Sequence, residues 1–413
     1  MLPIQEITLA QFFDQLDVHQ KRIPVEGILE TTFRCNLGCV HCYVNQPAGS
    51  AEERSREVPL PRLKALVDEM AEAGCVNLLL TGGEVLVRPD FAELYLHALS
   101  RGLLVTVFTN GTLVTERIAD LFDRHRPLLV EISLYGMTRE TYERITGVPG
   151  SYDRCLEGIR RLAARGVPLK LKTMLMSWNR DELPAMRRFA QELGVGFKHD
   201  GLLNPRVDCG ASRYGEVQIP PAELVALEME EPETRARLEA SAEDARALAG
   251  AEWEDPYVYS CGAGQVAFTL DPYGRLQMCQ LSRRAAFDLQ QESFAEVWGR
   301  RFPELRARPW QTNAVCQRCN LTPLCGSCPG AAEMETGDIE AVVPQFCRIA
   351  HGRAFALLGE SCGHREDASC CLGGAPGEAP PPQPAAHGCG GCGHAAPPPA
   401  LLQITRRDGG RLS

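Results

Sequence analysis

The chain has 413 residues, 44% of them hydrophobic and 23% charged, and a net charge of −10. That composition fits a globular protein of two domains, or one large domain with appendages, and argues against nucleic acid or an anionic membrane surface as the main partner. Eighteen cysteines follow a start, Met1-Leu2-Pro3-Ile4-Gln5-Glu6-Ile7, without the basic and apolar pattern of a secretion signal, and no stretch reaches transmembrane length. The expectation is metal ligation in a reducing compartment, the cytoplasm, and not a disulfide framework.

Residues 1–24 are expected to form a short extension with a helix leaning on the first strand. From Val25 to about Asp200, strands at 25–33, 76–81, 103–109, 128–134, 169–176 and 195–200 alternate with helical stretches. In the helical stretch 60–73, for example, Leu63, Leu66, Val67 and Met70 recur at helical spacing. This alternation predicts a parallel α/β sheet, with functional groups at the C-terminal strand ends.

The first strand runs into Cys35-Asn36-Leu37-Gly38-Cys39-Val40-His41-Cys42-Tyr43. Three closely spaced thiolates can hold three irons of a cubane and leave the fourth open, whereas a closed four-iron cluster takes four cysteines. A zinc site or a structural thiol cluster is the alternative. The second strand ends in Thr81-Gly82-Gly83-Glu84, where two glycines permit close backbone approach and Glu84 can accept from an amine; a plain strand-to-helix turn also fits. Thr109-Asn110-Gly111 is a turn at the third strand end. Ser133 closes the fourth strand, and Arg144 lies on the helix after it, where a solvated surface role fits equally. Lys170, Lys172 and Arg206 are basic residues near the fifth and sixth strand ends that would suit substrate carboxylates if they stood unpaired.

Residues 211–255 read as a charged helical linker. A second cysteine system fills 256–358: Cys261, Gly274 and Cys279, then Cys316, Cys319, Cys325, Cys328 and Cys347. Asp271-Pro272-Tyr273-Gly274 predicts a hairpin between 266–270 and 275–278 that brings Cys261 and Cys279 together. The two Cys-x-x-Cys pairs also suit a zinc knuckle. Residues 359–413 change to Pro, Gly, Cys and His repeats and read as a disordered tail. Cys389 and Cys392, with His387 and His394, could there bind a soft metal or act as a redox dithiol.

Taken jointly, these motifs over about residues 25–350 resemble the radical S-adenosylmethionine (SAM) enzymes, in the subgroup with a cysteine-rich SPASM extension. The resemblance implies a partial (β/α)6 TIM-like barrel followed by a small SPASM domain. Cys35, Cys39 and Cys42 would hold a [4Fe-4S] cluster whose open iron chelates SAM. Gly82, Gly83, Glu84, Ser133 and Arg144 would contact SAM. Two auxiliary [4Fe-4S] clusters would take Cys261, Cys279 and Cys328, and Cys316, Cys319, Cys325 and Cys347. The sequence departs from the family pattern at four places: Tyr135 where many relatives carry Asp, a one-residue-shorter spacing before Cys328, Asp255 where some relatives have a further cysteine ligand, and Gln280 where the sulfatase-maturing branch has a basic Asp. The implied activity is reductive SAM cleavage and hydrogen abstraction, foremost for crosslinking or oxidation of a ribosomally made peptide. The implied partners are an electron donor such as flavodoxin or ferredoxin and, for a peptide substrate, either a separate leader-peptide recognition protein or none. A small-molecule enzyme of tetrapyrrole side-chain chemistry and a non-catalytic iron–sulfur carrier are the alternatives.

Overall fold

The computed structural model describes residues 16–44, 46–207, 213–249, 254–326 and 328–359. Most of the N-terminal extension, Cys209 and the tail with Cys362, Cys370, Cys371, Cys389 and Cys392 lie outside the described residues.

Six parallel strands build the barrel sheet: β1 Glu26–Thr32, β2 Asn77–Gly82, β3 Leu104–Thr109, β4 Leu129–Ser133, β5 Leu169–Met174 and β6 Gly196–Asp200. All six begin and end within two or three residues of the bounds expected from sequence. Helices α1 Leu60–Glu72, α2 Phe91–Ser100, α3 Glu116–Arg124, α4 Arg139–Thr146, α5 Ser151–Ala164 and α6 Leu183–Glu192 come between the strands. Successive side chains alternate across each strand. On one face Leu29, Leu78, Leu80, Val105, Val107, Val130, Ile132 and Leu171 are buried in one core with Leu63, Leu66, Val67 and Met70 of α1. The residues between them, including Glu30, Phe108, Glu131, Lys172 and Lys198, belong to the opposite face, which lines the lumen. That face carries these ionisable groups among apolar ones such as Phe108, while the helix-facing side carries the hydrophobic stabilisation.

The second cysteine segment joins this sheet. Strands β7 Ala267–Leu270, β8 Arg275–Gln277 and β9 Ala286–Asp288 extend it in the order β9-β8-β7-β1-β2-β3-β4-β5-β6. The hairpin forms where expected, but β7 pairs in parallel with β1, from Glu26–Ala267 to Leu29–Leu270. Its turn is closed by the buried Asp271 carboxylate, which accepts from the amides of Tyr273 (2.9 Å) and Arg275 (3.0 Å).

The stretch expected as a linker contains α7 Pro221–Glu230 and α8 Pro232–Ala249. After α9 Pro329–Thr336, the final helix α10 Pro344–Leu358 packs on both. Arg353 of α10 makes a buried bidentate pair with Glu228 (2.6 and 2.8 Å). Beyond β6 the chain turns back across the barrel end, and the Val207 amide donates to the Tyr43 carbonyl (2.9 Å), directly after Cys42. No helix among the described residues is long and apolar enough to cross a membrane.

Candidate active site

The cysteine loop leaves the C-terminal end of β1 and is held from three sides. The amides of Gly38 and Val40 donate to the carbonyls of Thr146 (2.8 Å) and Ile145 (3.0 Å), so the loop caps the C-terminal end of α4. Arg34 forks onto Glu57 (2.8 and 3.0 Å), a buried pair that fixes the residue before Cys35. From the β3 end, the Asn110 amide group donates to Asn36 Oδ1 (2.9 Å) and reaches Cys35 Sγ (3.8 Å), while the Leu37 amide points at the same sulfur (3.4 Å).

Cys35, Cys39 and Cys42 are brought together. Burial pushes the Cys35 thiol up to about 12, with the charges of Glu84 and Cys42 adding to it. Burial, followed by Cys42 and Cys35, also raises the Cys39 thiol well above its ordinary value. Thiols this close and this desolvated become thiolates when a metal centre lies among them. Among the described residues no three His, Cys, Asp or Glu side chains converge as the ligands of a single ion do. A cubane instead distributes its thiolates over separate irons, so the three residues fit that group.

The Gly82-Gly83-Glu84 segment lies against the start of the cysteine loop. Gly82 has φ +130°, and a Cβ there would stand 2.1 Å from the Thr32 carbonyl; one on Gly83 would stand 2.4 Å from that of Arg34. The close backbone approach the two glycines permit is therefore to the start of the cysteine loop. The amides of Gly83 and Glu84 donate to the carbonyls of Thr32 (2.7 Å) and Arg34 (3.0 Å). The Glu84 carboxylate is fully buried and accepts from Thr109 Oγ1 (2.7 Å), the Asn110 amide (2.6 Å) and the Leu86 amide (3.1 Å). Glu84, expected to accept from a bound amine, also accepts from these protein donors, because the β2 and β3 ends meet over it. Thr109-Asn110-Gly111, which reads as a plain turn in sequence, supplies two of those donors and a contact to Cys35.

Ser133 stands half-buried at the end of β4, within hydrogen-bonding reach of the Tyr135 phenol. Tyr135 is buried against the cysteine triad and packs edge-on to His41 (4.8 Å between ring centroids). Arg144 lies on α4 beside Ile145, which holds the cysteine loop, and its guanidinium sits 3.8 Å from the centre of the Trp178 ring.

In the second system, burial raises the Cys279 thiol, with the charges of Cys328 and Cys261 adding to it, and burial and Cys261 raise Cys328. These three cysteines therefore form one group. Cys316, Cys319, Cys325 and Cys347 line one cavity, which Cys328 and Asp255 also border. Asp255 thus faces the second set, and its backbone amide donates to the Gln317 carbonyl (2.9 Å).

Glu30 and Arg283, which no sequence motif singles out, join the two systems. They form a bidentate pair (2.7 and 2.8 Å) in which the Glu30 side chain is fully buried. Tyr43 is placed between them: burial and the charge of Glu30 raise its phenol, and the thiols of Cys42 and Cys279 both act on it.

An open parallel barrel with buried thiols at the end of its first strand, and a second cysteine system fused to the same sheet, defines an iron–sulfur enzyme of the partial-barrel class. Residues 29–190 match the family model described as the radical SAM superfamily. Over those residues the chain carries the radical SAM domain, and its likeness to maturases and cyclases marks it as an enzyme. It is 27% identical to the AdoMet-dependent heme synthase of Methanosarcina barkeri over 78% of this chain and 96% of that protein. It is 26% identical to the PqqA peptide cyclase of Gluconobacter oxydans over 72% of this chain and 82% of that protein. In fold it is similar to Streptococcus suis SuiB bound to its precursor peptide SuiA, with a TM-score of 0.60, 15% identity and 82% of each chain covered. The domain implies a SAM-binding [4Fe-4S] cluster.

Proposed function

We propose that this radical SAM enzyme modifies a ribosomally made peptide, forming a crosslink or oxidising a residue. The observation that carries this reading is the physical fusion of two cysteine systems through one sheet and the Glu30–Arg283 pair, in a chain similar along most of its length to a peptide cyclase. When bound, the cluster and SAM supply a 5′-deoxyadenosyl radical able to take hydrogen from an unactivated C–H bond.

The chain's own residues hold and shield that chemistry. Cys35, Cys39 and Cys42 are the ligands of the SAM cluster. Gly82, Gly83, Glu84, Ser133 and Arg144 line the place for SAM, and the Glu84 carboxylate also ties the β2 and β3 ends together. Cys261, Cys279 and Cys328 hold one auxiliary cluster, and Cys316, Cys319, Cys325 and Cys347 the other, with the cavity they line as the supporting observation. A flavodoxin or ferredoxin supplies electrons, a separate protein presents the leader peptide, and the cytoplasm is the compartment.

Tetrapyrrole side-chain chemistry is the second reading, favoured by the likeness that spans 96% of a heme synthase. Of the basic residues Lys170, Lys172 and Arg206 that would suit a polycarboxylate if unpaired, Lys172 shares Glu131 with Lys198.

The test is an anaerobic reaction of reconstituted enzyme, SAM, reductant and any small peptide encoded beside the gene, followed by mass spectrometry. A peptide lighter by two hydrogens, with 5′-deoxyadenosine formed in step, is the expected result. Deoxyadenosine with an unchanged peptide would move the substrate to small molecules. Absence of deoxyadenosine from enzyme with intact, reducible clusters would overturn the catalytic reading.

A further inference from the structure

Three barrel strands place ionisable side chains at one point of the lumen that SAM-cluster chemistry does not use. The register pairs Ser133 with Lys172 and Lys172 with Lys198, so both lysines lie level with the last residue of β4, at the floor of the barrel mouth. Both turn toward Glu131, one side-chain layer below: Lys198 Nζ is 2.7 Å from Oε1 and Lys172 Nζ is 3.5 Å from Oε2. The Lys172 ammonium also stands 2.9 Å from the centre of the Phe108 ring, and that of Lys198 stands 5.5 Å from it.

One feature shows that this group is open as an ion pair. Two ammonium groups share one buried carboxylate, Lys172 within the lumen and Lys198 half-exposed toward the barrel mouth. A buried charge that serves packing alone is normally matched one to one, because an unmatched one is costly. Burial accordingly holds the Lys172 amine down, to about 7, against the raising influence of Glu131. A second carboxylate entering from the barrel mouth would remove the imbalance and bridge Lys172 and Lys198 opposite Glu131.

Resting on the reading that this enzyme acts on a peptide or a tetrapyrrole, which would enter at the barrel mouth, we infer that Lys172 and Lys198 form the seat for a single substrate carboxylate, with Glu131 and Phe108 positioning the two ammonium groups. With both amines protonated the seat carries one excess charge, so it takes one carboxylate and selects against amide or ester counterparts. An acidic residue or C-terminus of a peptide and one side-chain acid of a tetrapyrrole offer the same group.

The test uses cluster-loaded enzyme under anaerobic conditions and equilibrium binding to two probe pairs. One pair is a short blocked peptide with a central glutamate against its glutamine counterpart; the other is a tetracarboxylate porphyrin against its methyl ester. The expected result is that at least one acid binds more tightly than its neutral partner, and that Lys172→Met weakens that acid by about tenfold or more, as losing a buried charged partner does. Lys198→Met, at a half-exposed side chain, carries the same expectation if Lys172→Met fails to fold. Iron content is measured on each variant to show that the clusters are in place. Preference for the acidic peptide assigns the carboxylate to a peptide, and preference for the porphyrin assigns it to a tetrapyrrole. Binding of neither acid, equal binding of the neutral partners, or unchanged binding in both variants would overturn the seat. SAM cleavage by the wild-type enzyme is scored separately, so failure of the radical reading is distinguished from failure of the seat.

Discussion

Lys172→Met isolates the cost of keeping an ammonium in the barrel lumen. Burial lowers the Lys172 amine from 10.5 to about 7; Glu131 opposes that shift and Lys198 reinforces it. The unfolded chain holds this proton up to about pH 10.5, whereas the folded protein releases it near pH 7. Between those values the unfolded state binds more protons, so folding stability rises with pH. For one group with these two constants, the gain from pH 7 to pH 9 is about 2 kcal/mol. A methionine fills a similar volume with nothing to titrate. Urea denaturation of wild type and variant at pH 7 and pH 9, followed by tryptophan fluorescence, should give a wild-type rise exceeding that of Lys172→Met by about this amount. Taking the difference between the two proteins cancels the thiols and other groups common to both. Parallel behaviour of the two across this window would show that the amine is not desolvated and refute the reasoning.

Asn110→Ala removes the bridge between the β3 end and the cysteine loop: the contacts to Asn36 and Cys35, and the acceptor used by Thr112 N (2.9 Å) and Oγ1 (2.6 Å). We expect a stability loss of about 2–4 kcal/mol and a more negative potential for the SAM cluster, since a donor to a ligand sulfur favours the reduced state; redox titration followed by electron paramagnetic resonance reads the potential, and an unchanged value would count against the contact. Arg283→Met leaves the fully buried Glu30 without its partner and should destabilise the protein by about 3–5 kcal/mol. Adding Glu30→Leu should restore most of that loss in a thermal melt; a double variant no better than the single would show that the pair is not what joins the segments.

Much of the barrel is legible in the chain because its signals are local. Alternation of apolar segments locates six strands to within a few residues, and the spacing of Cys35, Cys39 and Cys42 on one short loop forces their thiols together whatever surrounds them. The hairpin at Asp271–Gly274 is local in the same sense, since the turn residues carry their own geometry. Contacts between residues distant in sequence were decided by strand order and register, which periodicity does not encode. Period-two alternation says that Glu131, Lys172 and Lys198 share a face type, but only the adjacency of β4, β5 and β6 brings them to one point. That Glu84 also ties the β2 and β3 ends together is invisible in sequence, and Thr109-Asn110 reads as a turn until it supplies the donors. The parallel pairing of β7 with β1 likewise turns Glu30 and Arg283, 253 positions apart, into the clasp between the cysteine systems. Buried charges can be placed only against partners already held by the fold, so where they pair was settled by tertiary structure alone.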